Sequence, residues 1–169
     1  MKTEAQLSWL IDAPPDKKPY RAMVVGWQNS STAINHLVST FNDEYLKSPE
    51  DKNSHHGMKE IAIKKLIVSS IVEMKCKVDE WAGKLNKDGE DTQAINQERK
   101  ANRALLDKAE QLRDIRNIGF HYGDVMLSAD EMIQIYQATD QWNLQELNDI
   151  LGAIYKVGNL AKDIALKKT

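Results

Sequence analysis

The chain has 169 residues, 41% of them hydrophobic and 28% charged, with a formal net charge of -2 at pH 7. That length suits one domain with a real core. The near-neutral balance excludes a globally basic nucleic-acid binder, so any such contact has to come from a local patch. The single cysteine, Cys76, excludes an intrachain disulfide and suits a reducing cytoplasm, where its expected role is a small apolar filler.

The first residues, Met-Lys-Thr-Glu-Ala-Gln-Leu, lack the apolar run of a signal peptide. The longest hydrophobic stretch, residues 61–74, is broken by Lys64, Lys65 and Glu73, too charged to span a bilayer. The expectation is a cytoplasmic protein with no membrane partner. Residues 1–20 read as an N-terminal arm, because Pro14, Pro15 and Pro19 oppose helix and favour extended backbone. Residues 21–169 read as one helical domain.

A first helix is predicted over about 21–46, with Val24, Trp27, Ile34, Leu37, Val38, Phe41 and Tyr45 at helical spacing and a polar gap at 28–32. Residues 47–57 are loop by composition. A second helix follows over about 58–85, carrying Ile61, Leu66, Ile67, Ile71, Met74, Val78 and Trp81. Residues 86–91 form the next turn, with Gly89 as its positive-φ residue. A third helix starts after Asp91 or Thr92 and continues to about residue 118. Ser128 with Glu131 starts a fourth, reaching about residue 141. Asn143 with Glu146 starts a fifth, whose stripe is Leu147, Leu151, Ile154, Leu160, Ala161 and Ile164. Gly158 falls within that column and predicts a close helix approach. Nothing alternates with period two, so the fold class is all-α, an antiparallel bundle of four to five helices.

The chemistry is concentrated in residues 113–123, Arg-Asp-Ile-Arg-Asn-Ile-Gly-Phe-His-Tyr-Gly. Arg116 shares a helical face with Leu105, Ala109 and Leu112, so it lines a cleft or interface or is buried with a partner. Gly119 as the residue after the helix, with an Ile115–Phe120 contact, predicts a sharp stop just before His121. An arginine can neutralise a phosphate, and an imidazole can move a proton near neutral pH. That pair is what metal-free RNA cleavage needs. A plainer role for Arg113 and Arg116 is to complement the helix dipole.

The segment Arg116-Asn117-Ile-Gly-Phe-His121 resembles the signature of the HEPN superfamily: arginine, usually a polar residue, then histidine after four to six intervening positions. The helical plan around it is similar over most of residues 21–167. The resemblance implies a homodimer with two motifs facing one cleft. It also implies metal-independent endoribonuclease activity of the toxin–antitoxin, abortive-infection or phage-defence kind. The alternative it leaves is a catalytically inactive helical scaffold that binds a protein partner or a nucleotide. Some toxins of the superfamily carry a tyrosine two positions after the histidine. Here that position is Gly123 and the tyrosine is Tyr122, so control by tyrosine nucleotidylation is not expected.

The expected partners are RNA, a second copy of the chain and, as a candidate, an antitoxin protein; no cofactor or metal is expected. In 2′-hydroxyl attack on the phosphodiester, His121 would transfer protons and Arg116 would clamp the phosphate. Asn117 would orient His121 or bond a phosphate oxygen. One motif offers one acid–base group while the reaction uses two, and twofold pairing supplies the second. Residues 99–116 carry six basic and three acidic side chains, and Arg113, Arg103 and Tyr122 are the candidate RNA contacts, against a background of solvated ion pairs. His55 and His56 with Glu50 and Asp51 are read as a solvated loop rather than a metal site, and His36 as a partly buried structural residue.

Overall fold

The computed structural model describes the backbone of residues 2–45, 56–120 and 142–169, with Asp130 and Gln137; side chains are described over 4–43, 62–113 and 142–169 and at those two positions. The fourth predicted helix, apart from those two, and most of the 47–57 loop lie outside these residues. Six helices are described, with no strand among them: α1 Lys2–Ile11, α2 Lys18–Tyr45, α3 His56–Lys87, α4 Gln93–Ala101, α5 Arg103–Phe120 and α6 Leu144–Lys167.

The arm is not extended. Residues Lys2–Ile11 are helical, and the Pro14–Pro15 turn only separates this helix from the next, with Pro14 accepting from the amides of Lys17 and Lys18. Pro19 sits in the first turn of α2, where its missing N–H would have had no helical partner. Arg21 fastens α1 to α2: Nη1 donates to the Trp9 carbonyl at 2.6 Å, and the guanidinium lies 4.8 Å from the Trp9 ring centroid, a cation–π contact.

The core forms where three long apolar faces meet. α2 buries Met23, Val24, Trp27, Ile34 and Phe41; α6 buries Leu147, Ile150, Leu151, Ile154, Val157, Ala161 and Ala165. Both sets repeat at three and four residues, as a one-sided helix requires. α3 is the central helix, touching α2, α5 and α6, and its buried set from Ile67 to Leu85 is correspondingly broad. Contacts fix the directions. Tyr20 meets Asp88 while Trp27 meets Trp81, so α2 and α3 are antiparallel. Lys17 meets Thr169 while Asn35 meets Tyr155, so α2 and α6 are antiparallel too.

The start of α6 is fixed as the sequence predicts. Asn143 accepts from the Glu146 amide at 2.9 Å, and Glu146 accepts from the Asn143 amide, a reciprocal capping box. Gly89 has φ +79°, in the region that favours glycine. The third predicted helix is two. The break falls at Asn102, whose backbone leaves the helical range at φ -108° and ψ 19° while its amide still donates to the Glu98 carbonyl at 3.0 Å and its carbonyl accepts from Leu105 and Leu106. Its side chain adds bonds to that carbonyl at 2.9 Å and to the Glu98 carboxylate at 2.7 Å.

α5 is seated by Ala109 and Leu112, both fully buried. Leu112→Ala should therefore cost about 3 kcal/mol and lower the thermal midpoint by roughly 6–12 °C. Arg103→Ala, on the outer side of the same helix, should change stability by less than about 0.5 kcal/mol. Thermal melts of the two variants check this.

Candidate functional site

The backbone of α5 runs through Gly119 to Phe120, so the helix does not stop before Gly119 as the sequence predicts. Arg116 and Asn117 therefore belong to its last turns. Arg116 takes the register position one turn beyond Leu112, on the side that Ala109 and Leu112 bury. The side chains of Arg116 and Asn117 and all of His121 and Tyr122 lie outside the described residues.

Arg113 and Arg103, the two remaining candidate RNA contacts, have different surroundings. Arg113 pairs with Glu110 at 2.6 Å and points Nη2 at the Cys76 sulfur, 3.5 Å away. The Cys76 thiol and the Glu110 carboxylate push its guanidinium further toward the charged form. Cys76 packs half-buried against the core, as an apolar filler would, and its sulfur also accepts from Arg113. Glu110 also accepts from Lys75 at 2.9 Å, and Lys75 reaches Asp79 at 3.0 Å. Asp79 in turn pairs with Arg99. One chain of alternating charge, Arg99–Asp79–Lys75–Glu110–Arg113, therefore ties α3 to α4 and α5. Among the described residues Arg103 pairs with Asp107 alone, at 3.6 Å, and both are strongly exposed, a geometry worth little. Of the two, Arg103 is the guanidinium more available to a phosphate.

The network has a pH signature. Lys75 holds the Glu110 carboxyl below the usual glutamate range. Burial opposes charge on Lys75, but its bonds to Glu110 and Asp79 outweigh that and raise its pKa. A carboxyl with a depressed folded pKa stabilises above its unfolded value, about 4.3, and that gain is lost as pH falls through the folded value. Glu110→Gln should cost about 1 kcal/mol near neutral pH, discounted because Glu110 is half-exposed. The variant should also show a shallower loss of stability between about pH 5 and about pH 3 than the parent. Urea midpoints across that range are the measurement.

A second polar feature lies between α2 and α6. Here Trp27, Gln28, Ser31, Thr32, Asn35, Tyr155, Asn159 and Lys162 line a cleft of about 460 Å³. The Trp27 indole N–H donates to Asn159 Oδ1 at 2.9 Å, and Tyr155 OH donates to Asn35 Oδ1 at 2.8 Å. Burial pushes the Tyr155 hydroxyl up to about 12. Ser31 Oγ is buried with no hydrogen-bond partner, a state that costs about 1–3 kcal/mol. No motif marks this cleft; its one signal in the sequence is the polar gap at 28–32 in an otherwise apolar helix pattern.

His36 is exposed on α2, not partly buried. Among the described residues no group of three histidine, cysteine or acidic side chains could hold a metal. The side chains of Glu50, Asp51, His55 and His56 lie outside them. No described helix is long and apolar enough to cross a membrane. No family model, curated protein or solved structure matches this chain.

Proposed function

We propose that this chain is a metal-independent endoribonuclease of the HEPN kind, acting as a homodimer in a toxin or phage-defence system. The observation that carries the proposal is the Arg116-Asn117…His121 spacing at the end of α5, whose inner side is anchored by Ala109 and Leu112. Catalytic groups work only when their geometry is held, and a helix buried at Ala109 and Leu112 is a support on which such a motif could be carried. Twofold pairing would bring two such ends to one phosphodiester, with His121 as acid and base and Arg116 on the phosphate oxygens. Arg103 would meet RNA backbone nearby, while Arg113 serves chiefly to hold α5 on α3. An antitoxin protein would act by covering the shared cleft.

Purified protein, incubated with RNA and excess chelator, should leave 2′,3′-cyclic phosphate and 5′-hydroxyl ends at the rate seen without chelator. It should sediment as a dimer at the concentrations where it cleaves. RNA that stays intact under a dimeric preparation would remove the nuclease reading.

A further inference from the structure

The cleft between α2 and α6 is supplied with donors out of proportion to acceptors. An indole N–H can only donate, so the Trp27–Asn159 bond fixes the Asn159 amide with its oxygen inward and its NH₂ free. Tyr155 OH meets the Asn35 oxygen at 2.8 Å and also lies 3.3 Å from the Ser31 carbonyl, and the Gln6 amide meets the Gln28 oxygen at 3.1 Å; a hydroxyl or an amide, unlike an indole, can also accept. Among the described residues the Asn159 NH₂ is therefore left unbonded, and Asn35 and Gln28 line the same cleft with their oxygens engaged. Lys162 adds an ammonium, of whose three donors Asp163 takes one at 3.1 Å. Ser31 lines the same wall, but its unpartnered hydroxyl is buried behind it. Among the described residues no carboxylate lines the cleft itself, the nearest to its cation being Asp163 beside Lys162. Asn35, Asn159 and Gln28 are exposed, so a solute can reach them.

We infer that this cleft binds a small phosphate-type oxyanion, held between Lys162 and the NH₂ groups of Asn35 and Asn159. A carboxylate offers two oxygens, whereas a phosphate offers three strong acceptors and up to two charges, the better match to this surplus. The volume, about 460 Å³, admits a phosphate monoester as well as free phosphate. The inference is independent of the nuclease proposal, because it uses no residue of 113–123.

The test is an NMR titration of the full chain with glucose 6-phosphate, inorganic phosphate and glucose, read at the Trp27 indole N–H and the Asn35 and Asn159 side-chain amides. Both phosphates should give saturable shifts with Kd of about 1 mM or tighter, and glucose should give none. Tighter binding of the ester places its carbon body in the cleft, and equal binding assigns the site to free phosphate. Asn35→Asp keeps an acceptor for Tyr155 but removes the NH₂ and adds a negative charge; Lys162→Gln removes the cation and keeps most of the stem. Each should weaken binding at least about tenfold while the thermal midpoint stays near the parent's. Absence of saturable shifts with either phosphate, or shifts unchanged in both variants, would overturn the inference.

Discussion

His121→Ala and Arg116→Ala are each expected to lower RNA cleavage by about 10²–10⁴-fold, the range for loss of a positioned proton-transfer or charge-stabilising group. The two losses should differ in kind. On the proposed mechanism, the 2′-hydroxyl and the leaving oxygen would lose their proton carriers without His121, so the pH dependence near neutrality should flatten. Without Arg116 that dependence should persist at a lower rate, because charge stabilisation is lost but proton transfer is not. Arg116→Lys should recover only part of the loss, since an ammonium lacks the planar fork that grips two phosphate oxygens. Leu112→Ala separates chemistry from support. It loosens α5 without touching the motif, so its cleavage should fall mainly on warming, in step with its melting. Full activity in both His121→Ala and Arg116→Ala would assign the cleavage to another site.

How much of this was legible in the sequence depended on whether a local rule was free to decide. Asn143 and Glu146 satisfy each other's backbone amides within one turn, and Gly89 adopts a backbone that few other residues tolerate; both features are local and both were readable. The stripe of α6 was readable for the same reason, with Leu147, Leu151, Ile154 and Ala161 buried. α1 was not. Its sequence is only weakly one-sided, and its anchoring comes from Arg21, a residue of another helix whose contact with Trp9 no local pattern announces. The break at Asn102 is a departure of one residue's backbone from helical angles, accompanied by its side-chain bonds to Glu98, and periodicity does not encode it.

The candidate sites divide along the same line. Arg103 and Arg113 both lie on one predicted helix, yet Arg113 is drawn toward α3 by Cys76 and by Glu110, which Lys75 of α3 holds in turn; Lys75 and Cys76 are remote from it in sequence. The donor-rich cleft was signalled only as a gap in a pattern. Its other half, Tyr155, Asn159 and Lys162, comes from the far end of the chain. The Arg116–His121 reading rests on spacing and on the course of α5, and its side chains lie outside the described residues.

Gly158→Ala should destabilise the fold by about 3 kcal/mol, at the upper end of the usual penalty for overfilling a packed core. A Cβ built at Gly158 would lie 2.7 Å from Cζ2 of Trp27, and closer still to Cζ3 and Cη2. The ring has little room to yield. Its Nε1 is bound to Asn159, and its faces and edges are met by Trp81 and Tyr155, with ring centroids 6.2 and 5.6 Å away. Relief would come by separating α2 from α6, which would open the core that Ile34, Ile154 and Val157 fill. Gly152, in the same helix, has nothing within 4 Å of its added Cβ, so Gly152→Ala should instead stabilise by up to about 1 kcal/mol through helix propensity alone. Trp27→Phe placed on Gly158→Ala should recover part of the loss, because the smaller ring withdraws the atoms nearest the new methyl. Urea denaturation at a common slope gives all three values. Equal and favourable effects of alanine at Gly152 and Gly158 would show that Trp27 does not pack against α6 as described.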